Sequence, residues 1–157
     1  MKEFNGSDLD LSYRQVSIFN YGLENPFSDW TKKHIEQGFT YRPGSIGIMT
    51  FSQSGLLKTG VDFSEEVKSE SERILVLPFN VSGNSGIEVA TITAGFQVEI
   101  DDGEYSLMIQ LGRLDESTDW IWFSFVQPTK LDSSPRFLKA DLEITRRNDF
   151  LLSAYPA

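Results

Sequence analysis

The sequence predicts a mainly β protein, a two-layer antiparallel β-sandwich with one short α-helix, as a single domain over residues 1–157. Three observations carry that reading. Apolar and polar residues alternate with period two through most of the chain after Ser45. Gly, Asn and Asp separate the alternating runs. Only one segment combines helical spacing with start and stop signals. At 157 residues the chain can bury a core of its own, and many short strands joined by turns suit two packed sheets.

The first run, "LDLSYRQVSIF", sets Leu9, Leu11 and Tyr13 on one face and then moves the apolar phase to Val16 and Ile18. One inserted residue flips every side chain after it, so a bulge is expected near Arg14–Gln15. The helix is expected within residues 25–37 of the stretch "NPFSDWTKKHIEQGF". Asn25 can cap it, Pro26 suits its first position and Gly38 supplies a left-handed stop, giving about three turns. Phe27, Trp30 and His34 fall on one face at helical spacing, with Ile35 beside them.

Strands follow. "SIGIMTF" places Ile46 and Ile48 on one side and Met49 and Phe51 on the other. "LLKTGVDF" alternates through Leu57, Thr59, Val61 and Phe63. "RILVLPFNV" is apolar on both faces, as a buried strand is, and Pro78 marks a bulge or an edge. "GIEVATI" comes after the turn "SGNSG". In "FQVEIDDGEYSLMIQL", Phe96, Val98 and Ile100 alternate up to Asp101–Asp102–Gly103, and Tyr105, Leu107, Ile109 and Leu111 alternate away. That pattern predicts a hairpin. "WIWFSFV" and "FLKADLEITR" bring the expected total to about nine strands.

The net charge of −9 is unevenly placed. Residues 1–61 hold 6 acids and 6 bases, residues 62–119 hold 13 acids and 3 bases, and residues 120–157 hold 4 acids and 5 bases. Such a middle third repels nucleic acid, whose binding needs Lys and Arg on phosphates. It attracts cations or a basic protein. Acidic loops also keep a β protein soluble and its edges unpaired. The chain has no cysteine, which removes disulfides, thiolate nucleophiles and zinc–thiolate sites and fits a reducing compartment. "MKEFNGSDLDLS" holds no apolar core of a signal peptide, and no run approaches the roughly 20 apolar residues of a membrane span. A cytoplasmic protein without a membrane span is the expectation.

Nucleophilic catalysis by Ser or Thr needs a base, and His34 is the only histidine. On the Trp30 face of the helix it reads as a packed or half-exposed side chain. No G-x-S-x-G elbow, phosphate-binding loop, G-x-G-x-x-G turn or H-E-x-x-H pair occurs. The carboxylate pairs sit in polar loops, where they stay ionised, whereas a general acid needs burial. The sequence therefore predicts no enzyme, no catalytic residue and no cofactor. Calcium takes 6–8 oxygen ligands, but "DDGE" and "DESTD" flank one strand and should lie roughly 25 Å apart. No metal ligand is assigned, and a calcium- or membrane-binding sandwich remains the alternative reading.

The segments "LSYRQVSIFN", "DWTKKHIEQGF" and "GSIGIMTF" together resemble the competence protein J family. Ser12, Tyr13 and Gln15 carry the match, followed by Asp29, Trp30, Thr31, Gly38 and Phe39. The likeness is clearest over the first third of the chain. It implies an acidic inhibitor of a metal-dependent, non-specific DNase, the DNA-entry nuclease of competent bacilli, and a related use as an immunity protein beside nuclease toxins. The implied mechanism is occlusion: an acidic surface occupies the positive cleft meant for DNA and is steered there by charge. The acids expected to meet the cognate DNase are Glu65, Glu66, Glu70 and Glu72 in "SEEVKSESER", then Asp101, Asp102 and Glu104, then Asp115, Glu116 and Asp119. Only one of the last two groups should join the interface, and the sequence does not say which end the Glu-rich loop joins. The helix reads as structural, anchored by Trp30 and started by Asp29 and Thr31, with His34 incidental. Oligomeric state is not set by the sequence.

Overall fold

In the computed structural model, residues 6–157 are described. Among them eleven strands and one helix follow in the order β1 (Asp8–Leu11), β2 (Gln15–Asn20), α1 (Lys32–Gln37), β3 (Phe39–Arg42), β4 (Ser45–Met49), β5 (Gly55–Asp62), β6 (Arg73–Val81), β7 (Ile87–Ala90), β8 (Gly95–Val98), β9 (Gly103–Asp115), β10 (Thr118–Val126) and β11 (Arg136–Lys139). They form a six-stranded sheet, β1-β5-β10-β9-β6-β11, and a five-stranded sheet, β3-β4-β2-β7-β8. Neighbours run antiparallel except β5 and β10, which are parallel. This is the expected sandwich with its short helix.

Alternate residues of each strand face the space between the sheets. Leu57, Leu75, Leu77, Leu107, Ile109, Leu111, Ile121 and Phe123 from one sheet meet Val16, Ile18, Phe39, Ile46, Ile48, Ile87 and Val89 from the other. Each such side chain contributes roughly 1.5–3 kcal/mol when removed from water. Pro78 falls where the pattern allows: β11 pairs with β6 only at Ile74, Leu75 and Val76, so beyond them β6 is locally an edge and a missing N–H breaks no ladder.

Four details differ from expectation. The phase change in the first run is not a bulge. Tyr13 and Arg14 both adopt positive φ, 56° and 59°, in a tight turn bridged by Ser12 and Gln15, and the chain passes from one sheet to the other. The run is thus two strands, and with the unforeseen β3 nine becomes eleven. The apparent hairpin around Asp101–Asp102–Gly103 is also a crossing between sheets, since β8 pairs with β7 and β9 with β6 and β10. Period-two alternation reports a strand's two faces and says nothing about its neighbour. β9 forms its hairpin with β10 instead. Finally, the helix covers only six residues. Residues 25–30 are held outside it by the chain's last residues: Asp29 N–H donates to the Tyr155 carbonyl at 2.8 Å, and Ala157 N–H to the Phe27 carbonyl at 2.9 Å. Asn25, at φ 49°, is no cap; Thr31 is, and Gly38 at φ 79° supplies the expected stop.

Candidate functional site

Three of the residues that carry the family-like motifs, Tyr13, Gln15 and Trp30, meet at one corner. Trp30 Nε1–H donates to Gln15 Oε1 at 2.9 Å, beside a concavity of about 290 Å³ that Tyr13, Ile35 and Met49 also line. Trp30 is only half-buried. His34 is the reverse, 2% exposed, and it is not incidental. Its Nδ1 accepts from the Thr31 backbone N–H at 3.0 Å, and a backbone N–H can only donate. The proton therefore sits on Nε2, which donates to the Ser153 carbonyl at 2.9 Å. His34 closes the capping box of α1 and ties the C-terminal segment to it.

The acids separate into three environments. Residues 63–72 form a loop laid across the outer face of the six-stranded sheet. Gln110, fully buried, pins it by accepting from Lys68 N–H at 2.7 Å and the Ser71 hydroxyl at 2.9 Å, and by donating to the Glu66 carbonyl at 3.1 Å. The Lys68 ammonium lies 4.2 Å from the centre of the Trp122 ring, a cation–π contact. That ring needs Gly60 beneath it, where a β-carbon would come within 2.3 Å. Glu65, Glu66 and Glu70 are exposed. Glu72 pairs with Arg113 at 3.0 Å, and the Arg113 hydrogen bond holds its carboxyl below the ordinary value.

The second environment is the β9–β10 turn. Asp115 and Glu116 are exposed, and the Ser117 backbone N–H, 2.9 Å away, lowers the Asp115 pKa. Through Arg113 and the Glu70 carbonyl, which approaches Gly112, this turn adjoins the end of the Glu-rich loop. Asp119 leaves the set. It is 1% exposed because its carboxylate accepts from Phe51 N–H, Ser52 N–H and the Ser52 hydroxyl at 2.9, 2.9 and 2.6 Å; no partner can reach it.

The third environment lies at the far end of β9, a thirteen-residue strand that keeps the two ends apart as expected. Asp101, Asp102 and Glu104 are exposed there. Asp102 accepts from Asn84 N–H at 3.0 Å, and a polar concavity of about 620 Å³ is lined by Asn84, Gln97, Glu99, Asp101 and Asp102. Among the described residues no group of three or more His or acidic side chains is arranged to hold a metal ion. No helix among the described residues is long and apolar enough to cross a membrane.

Sequence reading missed two features. One is Phe63 and Val67, 63% and 52% exposed on the Glu-rich loop; Phe63 read as the last inward residue of a strand, although an aromatic beside "SEE" was a signal. The other is the buried guanidinium of Arg73, 1% exposed, which donates to Asp141 at 2.6 and 3.1 Å and to the Met49 carbonyl at 2.6 Å. Nothing local in the sequence links residues 68 positions apart.

Fold and surface define a two-sheet sandwich that presents charged loops from a rigid frame. A family model for competence protein J (ComJ) matches residues 8–129, and the chain belongs to that family. It is 28% identical over 109 residues to a Bacillus subtilis (strain 168) protein described as a DNA-entry nuclease inhibitor, covering 68% of this chain and 81% of the relative. Its fold is similar to that in a crystal structure of ComJ from Bacillus subtilis, described as an inhibitor of the DNA-degrading activity of NucA. The TM-score is 0.66 at 24% identity, over 77% of this chain and 93% of that one. The family match ends before β11, so the Arg73–Asp141 seam joins a matched strand to a segment outside the match.

Proposed function

We propose that this chain is a protein inhibitor of a DNA-degrading nuclease: it binds the nuclease and covers its DNA-binding cleft, with no catalysis of its own. The observation that carries this reading is membership of the ComJ family together with the relative described as a DNA-entry nuclease inhibitor. The surface supports it physically. A cleft that attracts DNA is positive, and exposed acids on a rigid frame can fill it and be steered to it. The interior supports the absence of catalysis, because both ring nitrogens of His34 are engaged in structural hydrogen bonds. A role as an immunity protein beside a nuclease toxin uses the same surface.

The adjacency of the loop at residues 63–72 to the β9–β10 turn favours these two groups acting together, through Glu65, Glu66, Glu70, Asp115 and Glu116. Glu72 lies among them, partly neutralised by Arg113. Asp101, Asp102 and Glu104 then face away. The test is a DNA-degradation assay with NucA titrated by the purified chain. Stoichiometric loss of cleavage is expected. Undiminished cleavage at a large excess of the chain, with no complex on gel filtration, contradicts the reading.

A further inference from the structure

The exposed acids stand in unequal company. On the loop over the six-stranded sheet, Phe63 and Val67 project into solvent at 63% and 52% exposure, interleaved with Glu65, Glu66 and Glu70. At the opposite end, none of the large exposed apolar side chains falls within residues 99–104. A slack loop would turn Phe63 and Val67 onto the sheet and hide them from water. This loop is tied down instead, by Gln110 in its middle, by Asp62, which accepts from Ser64 N–H and the Ser124 hydroxyl at its start, and by Glu72 N–H on the Leu111 carbonyl at its end. Its order is established on folding, so association loses little further freedom there.

We infer that Phe63 and Val67 are the apolar anchors of the inhibitory interface, seated in depressions of a basic protein surface while Glu65, Glu66 and Glu70 meet its Lys and Arg side chains. This rests on the inhibitor reading above. Aromatic anchors ringed by charge, on a preorganised element, are how interfaces concentrate binding energy. Charge complementarity selects the occupant. A second copy of this chain would set the same acids against one another, and an anionic lipid surface would repel them. A basic protein satisfies both the charge and the apolar pair.

The probe is NucA from Bacillus subtilis, captured by the immobilised full chain. Phe63→Ser with Val67→Ser should speed dissociation at least about thirtyfold while association changes less than about threefold; the melting temperature should stay that of wild type. Glu65→Lys with Glu66→Lys should instead slow association. In the wild-type complex, amide exchange within residues 63–72 should slow. Failure of wild type to bind NucA would sink the inhibitor reading, and this inference with it. Binding by wild type, with the serine variant dissociating equally slowly, overturns the anchors alone. So does protection confined to residues 99–104 or to the Tyr13–Trp30 corner. Should the serine variant melt early, the exchange pattern decides.

Discussion

Asp141 and Glu65 carry the same charge in opposite settings. Asp141 lies where the C-terminal segment crosses β6, its oxygens 2.6 and 3.1 Å from the buried Arg73 guanidinium. Glu65 stands in solvent over the outer face of the same sheet. Their regions differ in the same way. Asp141 at the seam and Asp119 at the start of β10, bound to Phe51 and Ser52, satisfy donors that folding has taken out of water. On the outer loop and the β9–β10 turn, Glu65, Glu70, Asp115 and Glu116 satisfy no buried donor. A carboxylate of the first kind is bound up with folding, because removing it strands a buried partner. One of the second kind contributes little to stability and is available to another molecule. Stability and inhibition should therefore separate by region.

The largest effect should come from Asp141→Ala. It removes the bidentate partner of the buried Arg73 charge and leaves Glu143, 3.9 Å away, as its remaining acid; about 3 kcal/mol, the low end for a broken buried pair, should be lost in chemical denaturation. Acid should reach the same contact. Burial pushes the Asp141 carboxyl up, but the Arg73 hydrogen bond and charge outweigh it and hold the pKa below the ordinary value. The folded pKa is the lower one, so the contribution is complete above the unfolded value of about 3.9 and fades as pH falls through the depressed folded value. Wild type should lose stability below about pH 4 more steeply than Asp141→Ala does. Parallel acid limbs would show that the pair is not what protonation breaks.

Next is Asp119→Ala, which removes one acceptor from three donors. A loss of about 2–3 kcal/mol is expected by thermal or urea unfolding, with inhibition unchanged at temperatures where the variant is folded. Trp30→Ala should cost less than the roughly 3–5 kcal/mol of a fully buried aromatic, about 2 kcal/mol, since the ring is half-exposed and the change strands only Gln15. A cost above that range would mean the ring holds the corner together more firmly than its exposure indicates. The smallest effect on stability belongs to the loop: Glu65→Lys with Glu66→Lys should stay within about 0.5 kcal/mol of wild type. If that pair unfolded as readily as Asp119→Ala, the contrast between the regions would collapse.

The sequence made the frame legible where alternation writes a strand's faces into it: Leu107, Ile109 and Leu111 are inward in both pattern and structure. Neighbours were less legible. The run through Asp101–Asp102–Gly103 has the look of a hairpin, yet it links two sheets, because pairing is chosen by distant strands. The helix shrank for a similar reason: Tyr155 and Ala157 claim the backbone of residues 27–29, more than a hundred positions away. At the candidate site, charge density located the acidic loops but could not tell a solvated carboxylate from Asp119, whose three donors come from another strand connection. It also hid Phe63 and Val67, which alternation assigned to the core or passed over.

The central claim is that inhibition runs through the loop at residues 63–72 and the adjoining β9–β10 turn, while the far end of β9 stands apart. Three charge-reversal variants test it in one DNA-degradation assay with NucA at low and moderate salt: Glu65→Lys/Glu66→Lys/Glu70→Lys, Asp115→Lys/Glu116→Lys and Asp101→Lys/Asp102→Lys/Glu104→Lys. The first two should inhibit more weakly at low salt and lose less with added salt than wild type does, since steering is what reversal removes. The third should inhibit like wild type. Loss of inhibition in the third variant alone, or wild-type inhibition by all three at both salts, would contradict the account.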